Sequence, residues 1–174
     1  MGSPRAQALW IALIVFVLDR ATKMWIEAKV SVYDTIPVIP DVFNIVYTRN
    51  RGAAFGILST APESIRLTVL VGFAGIILGL IGWMLWQATK PGAIGTLYNR
   101  LALSLVLGGA VGNLWDRVFQ GSVTDFLQVF IGSYEWPSFN IADSAISVGA
   151  ALMALDLIFQ PRKQADPNHA PETH

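Results

Sequence analysis

The sequence predicts an all-α integral membrane protein: four transmembrane helices with a small extracytoplasmic β-sheet on the first long loop. Three observations carry that prediction. Of 174 residues, 53% are hydrophobic and only 14% charged, against about 25% charged in an ordinary soluble domain. The run from Leu67 to Thr89 contains no charge; at about 1.5 Å per residue it reaches roughly 34 Å, enough for a hydrocarbon core of about 30 Å. Three further apolar stretches approach the same length.

The predicted spans, in chain order, are 8–28, 67–89, 97–115 and 140–159 within a single membrane domain covering 1–174. The first is the least regular, because Asp19, Arg20 and Lys23 lie inside it. It lacks a small-residue cleavage pattern, so no separable signal peptide is expected. Arg100 and Asp116 flank the third, and Pro161-Arg162-Lys163 ends the fourth. Small residues recur four apart at Gly75 and Gly79, Gly108 and Gly112, and Ala145 and Gly149. That spacing lets helix backbones approach closely in lipid, although glycine is also simply common in membrane helices.

Two extracytoplasmic segments are predicted, 29–66 and 117–139. The first is rich in strand formers (Val38, Ile39, Val42, Ile45, Val46, Tyr47) broken by Pro37, Pro40 and Gly52, which reads as a small surface sheet. The second carries Phe119, Phe126, Phe130, Tyr134 and Trp136, a density of aromatics that suits the lipid–water boundary. The tail 164–174 is polar and is expected to be disordered. Four spans would put both termini on one side. Basic residues do not orient them: Arg5, Lys90, Arg100, Arg162 and Lys163 on the terminal side balance Lys29, Arg49, Arg51, Arg66 and Arg117 on the loop side.

The chain has no cysteine, and its two histidines, His169 and His174, sit in the polar tail. A Ser-His-Asp triad, a cysteine nucleophile and a histidine zinc site are therefore disfavoured. Zero net charge gives no sign of nucleic acid. Carboxylates lead any acid–base chemistry, and Asp125 and Asp143 lead the carboxylates. Asp125 sits among Val123, Thr124, Phe126 and Leu127, where an isolated charge is costly to desolvate; an exposed loop is its bland setting. Asp143 follows Asn140 by three residues, the acidic position of a capping-box-like helix start; capping alone is its bland role. Both belong to one membrane face. Two carboxylates brought together share a proton, so one can accept a proton from water while the other polarises a carbonyl.

Asp19 and Lys23 are four apart on one helix face and can neutralise each other, with structural pairing weighed against direct chemistry. Asn113 and Arg117 share a face near the same surface, and Asp116 is a rival carboxylate. Intramembrane charges also admit a small transporter or ion-conducting protein as the alternative function.

Five segments together resemble the sequence boxes of bacterial lipoprotein signal peptidase, the type II signal peptidase: Leu18-Asp19-Arg20-Ala21-Thr22-Lys23, Asn50-Arg51-Gly52-Ala53-Ala54-Phe55, Gly112-Asn113-Leu114-Trp115-Asp116-Arg117, Val123-Thr124-Asp125-Phe126 and Phe139-Asn140-Ile141-Ala142-Asp143-Ser144. Arg20 stands where that family often has glutamine. The resemblance implies a bacterial inner-membrane aspartyl endopeptidase with cytoplasmic termini. It would cleave the signal peptide of diacylglyceryl-modified prolipoproteins before the lipidated cysteine. It implies Asp125 and Asp143 as the catalytic pair, and Asp19, Lys23, Asn50, Gly52, Asn113, Arg117 and Asn140 as binding or supporting residues. It further implies a sheet on the outer leaflet, a mobile periplasmic segment over the site and inhibition by globomycin-type cyclic peptides. Membrane lipid and the prolipoprotein are the expected partners; no cofactor or metal is implied, and a monomer is expected.

Overall fold

The computed structural model describes residues 2–52, 60–93 and 96–159. Among the described residues four helices form: α1 (Pro4–Lys29), α2 (Glu63–Ala88), α3 (Leu97–Gln120) and α4 (Ile141–Phe159). Between them lie four strands: β1 (Thr35–Ile39), β2 (Phe43–Asn50), β3 (Val123–Ile131) and β4 (Tyr134–Phe139).

Each helix begins where local chemistry permits. Ser3 accepts a hydrogen bond from the Ala6 amide ahead of Pro4, whose missing N–H costs nothing in a first turn. Thr96 caps α3 through the Asn99 amide. α3 ends on Gly121 at φ 70°, the left-handed conformation that glycine adopts without strain. α2 and α4 are long and apolar enough to cross a membrane. α1 and α3 carry Asp19, Arg20, Lys23, Asn113 and Asp116 within their length, which dilutes their apolar character.

α3 packs against all three other helices, and its glycines permit this. A Cβ at Gly108 would lie 2.5 Å from the Ala12 carbonyl oxygen of α1. One at Gly109 would collide with the Ala142 carbonyl of α4. Gly149 of α4 makes the reciprocal approach, 2.8 Å from the Ala102 carbonyl. The close-packing expectation therefore holds on α3 and α4. It does not hold for Gly75 and Gly79, where an added Cβ would meet no described atom within 4 Å beyond its own helix backbone, because that face of α2 points away from the bundle.

The sheet is antiparallel throughout, in the order β1-β2-β3-β4. Here the sequence expectation is corrected: the sheet is not confined to the first loop. β3 and β4 come from the second loop, where aromatic density masked the alternation of a strand. Thr48 pairs with Asp125 and Asn50 with Val123. A register shift between Ile45 and Thr48 bends β2, as an irregularity in a ladder does.

The outer helix faces are apolar, and a group of polar and charged side chains is buried beside the apolar core. Phe73, Ile76, Leu80 and Trp83 are exposed on α2 and Leu9, Leu13 and Val17 on α1, whereas Asp19, Lys23, Asp116 and Asn140 are fully buried. This distribution suits lipid as the surrounding solvent. The segments 53–59 and 160–174 lie outside the described residues, and with them Ala53, Ala54 and Phe55, the expected tail and both histidines.

Candidate active site

Asn140 precedes α4, and its Oδ1 accepts the Asp143 amide at 2.9 Å. That leaves its Nδ2 as a donor, 2.7 Å from Asp125 Oδ1 on β3. One buried amide thus joins the helix start to the strand. The Asp143 carboxylate does not return to the cap: its Oδ1 accepts Asn113 Nδ2 from α3 at 2.7 Å. Asp143 does more than begin a helix.

Three asparagines repeat the same device. The Asn113 oxygen accepts Lys23 Nζ at 3.1 Å, so its amide nitrogen is turned to Asp143. The Asn140 oxygen holds the Asp143 amide, so its nitrogen is turned to Asp125. The Asn50 oxygen accepts the Gly52 amide at 3.0 Å, and Asn50 is a second hydrogen-bond partner of Asp125. Since an asparagine amide can be flipped, pinning each oxygen fixes which end meets the carboxylates.

Beneath this layer lies an ion cluster. Lys23 Nζ is 2.8 Å from Asp19 Oδ2 and forms an ion-pair contact of 2.8 Å with Asp116 Oδ2. Arg20 pairs with the other Asp116 oxygen. Two carboxylates and two cations cancel, which offsets the desolvation that isolated charges would suffer. Asp19 Oδ1 also accepts the Ala142 amide at 3.0 Å, capping a second free N–H of α4. A Cβ at Gly112 would stand 2.5 Å from Asp19 Oδ2, so glycine is needed for α3 to pass this carboxylate. Asp116, the rival carboxylate, is occupied by Lys23 and Arg20.

Asp125 is only 3% exposed, so the exposed-loop setting does not apply. Burial raises its carboxyl to about 7; the nearby charge of Asp143 adds to the rise, while the hydrogen bonds from Asn50 and Asn140 oppose it. Arg117 interacts electrostatically with both Asp143 and Asp125, and its Nη1 donates to the Asn113 carbonyl at 3.3 Å.

A cavity of about 520 Å³ opens beside the pair, reached by Asn50, Asn113, Arg117, Asp125 and Asp143. Its apolar wall includes Trp136, Phe139, Ile146 and Val148. The fold brings Asp125, Asp143, Asn50, Asn113, Asn140 and Arg117 to one centre. It leaves Asp19 and Lys23 one layer below, and Gly52 behind Asn50.

Sequence reasoning did not single out the β4 wall, Trp136 to Phe139. It also missed Glu27, whose Oε1 accepts Thr124 Oγ1 at 2.7 Å and so ties the strand carrying Asp125 to α1. The four-residue rhythm of Lys23 and Glu27 on α1 was the only available signal for Glu27.

Apolar helices around a buried polar centre suit a membrane protein, and the solved structures it resembles are membrane enzymes. Two solved structures, each described as a bacterial membrane enzyme, superpose with TM-scores of 0.77 and 0.76 at 33% and 34% identity, covering 92% and 90% of this chain and 95% of each of theirs. The family profile described as signal peptidase (SPase) II matches residues 11–159. The lipoprotein signal peptidase of Solibacter usitatus (strain Ellin6076) is 46% identical over 95% of this chain and 98% of its own; that of Syntrophus aciditrophicus (strain SB) is 40% identical over 95% and 100%. The chain belongs to the signal peptidase II family. The transporter alternative is not favoured, since the charges it would use, Asp19 and Lys23, neutralise each other in the buried cluster.

Proposed function

We propose that the protein cleaves the signal peptide of prolipoproteins, with Asp125 and Asp143 sharing the acid–base work. The observation that carries this reading is the convergence of two carboxylates from separate elements on one cavity, each held by oriented asparagine amides. Asp143 stands in the first turn of α4; the raised Asp125 keeps the proton the pair shares. Asp143 then removes a proton from a water molecule as its oxygen attacks the scissile carbonyl. Asp125 protonates the carbonyl oxygen. Collapse of the resulting gem-diol returns a proton to the leaving amine. No covalent enzyme intermediate is required.

Asn50, Asn113 and Asn140 orient the two acids, Gly52 orients Asn50, and Arg117 binds the peptide or the lipid ester. Asp19 and Lys23 act through Asn113 and the start of α4. The apolar wall from Trp136 to Val148 receives the substrate segment flanking the scissile bond. A globomycin-type cyclic peptide would fill the same cavity.

The wider reading has four spans, α1 to α4, in a bacterial inner membrane. Both termini face the cytoplasm, and the extracytoplasmic sheet lies along the outer leaflet, so the site meets the substrate at headgroup depth. The reading takes the protein as a monomer.

The test is cleavage of diacylglyceryl-prolipoprotein by purified protein. Asp125→Asn and Asp143→Asn should each lower kcat by about a thousandfold or more while still unfolding in one cooperative transition. Wild-type turnover by either folded variant would remove the two-acid mechanism.

A further inference from the structure

A second cavity lies at the end of the bundle away from the aspartates, with a volume of about 490 Å³. The start of α1 and the turn between α2 and α3 form it, through Arg5, Lys90 and Arg100. Among the described residues no acidic side chain lines it, and none of the three cations joins a described ion pair. The first turn of α1, which starts here, also contains no acidic residue, so its positive end adds to the field; the start of α3 differs, because its cap Thr96 donates to Asp156 at 2.7 Å.

Arg5 is held in place rather than freely solvated. Its guanidinium carbon sits 3.6 Å from the centroid of the Trp86 ring, a cation–π contact, and its buried Nε has no hydrogen-bond partner among the described residues. Stacking occupies the face of the guanidinium and leaves its N–H edges for an acceptor, the geometry that suits phosphate oxygens. The surroundings continue into lipid-facing surface: Trp86, Leu9, Trp83 and Leu97 are all exposed.

We propose that Arg5, Lys90 and Arg100 form a binding site for a phosphate anion carried by an anionic phospholipid, seated at the membrane surface opposite the aspartate pair. The three cations take the headgroup phosphate, and the acyl chains lie along the exposed apolar faces of α1 and α2. A bound lipid bridges the start of α1 to the α2–α3 turn, at the end of the bundle where the buried ion cluster does not reach. Basic pockets between membrane helices bind anionic headgroups by this chemistry. The site is separate from the prolipoprotein cavity and does not depend on the peptidase mechanism.

The experiment titrates phosphatidylglycerol into the full chain in detergent, read by native mass spectrometry, with phosphatidylcholine and inorganic phosphate as parallel arms. Wild type should hold one tight phosphatidylglycerol. With a loss of about fivefold per cation, Lys90→Gln should weaken it about fivefold and the Arg5→Gln, Lys90→Gln, Arg100→Gln triple variant on the order of a hundredfold. Lys29→Gln, at the other end of α1, should bind as wild type does. If the triple variant does not fold, Lys90→Gln decides alone, because its side chain is exposed. Unweakened binding by these variants, or equal binding of phosphatidylcholine, would overturn the proposal. Displacement of the lipid by inorganic phosphate at similar concentration would assign the site to free phosphate and overturn the lipid source.

Discussion

A carboxyl group buried beside a second carboxylate holds its proton to unusually high pH, and Asp125 is such a group. Burial comes first and Asp143 second in raising it to about 7. If Asp125 must donate a proton to the scissile carbonyl, its active form disappears as pH rises past that value. kcat/KM should therefore fall about tenfold per pH unit above about 7, measurable with a lipidated precursor in detergent; a flat profile through pH 9 would sink the assignment of Asp125 as the acid. Stability follows the same sign. A native pKa above the unfolded value of about 3.9 favours the folded state at low pH, and that contribution is lost as pH rises through about 7. Asp125→Asn removes the titration, so its melting temperature should decline less than that of wild type between about pH 5 and pH 8.

At the scale of elements, the decisive feature is the unequal use of glycine. α3 approaches α1 and α4 so closely that Gly108, Gly109 and Gly112 leave no room for a methyl group, whereas Gly72, Gly75, Gly79 and Gly82 on α2 touch nothing described within 4 Å. Overpacking costs about 1–3 kcal/mol, and at Gly112 the intruding atom would also displace the Asp19 carboxylate that caps α4 and pairs with Lys23. Gly112→Ala should lower the melting temperature and reduce cleavage. Gly75→Ala and Gly79→Ala should stay within about 1 kcal/mol of wild type, with helix propensity favouring alanine. A loss at Gly79 as large as that at Gly112 would mean that α2 packs on a surface this arrangement leaves open.

For the whole molecule, the two aspartates and the asparagines that hold them are gathered at one end of the bundle. The last turns of α3, the start of α4 and the sheet meet there, with the ion cluster of Asp19, Lys23, Arg20 and Asp116 directly beneath. On the proposed function that end would stand at a lipid–water boundary, where a diacylglyceryl group would hold the scissile bond at the height of the two acids. Anchoring supplies local concentration and orientation that a water-soluble peptide lacks. An unlipidated precursor should accordingly show kcat/KM lower by at least about a hundredfold; comparable turnover of the two precursors would remove lipid anchoring as the basis of substrate choice.

The order of the four described helices and the asparagine ahead of α4 were legible in the chain, because apolar runs and helix starts are local properties written in adjacent residues. The local pattern also marked Asp19 with Lys23 and Asn113 with Arg117 as facing pairs. Only the folded molecule decided that both loops join one sheet, that Asp116 belongs to an ion cluster rather than to the aspartate pair, and that α2 keeps its glycines outside. It alone showed that Asn50, Asn113 and Asn140, from three different elements, aim their amides at the same two carboxylates. Those outcomes depend on contacts between residues far apart in the sequence, and hydrophobic periodicity contains no term for which distant segments will meet.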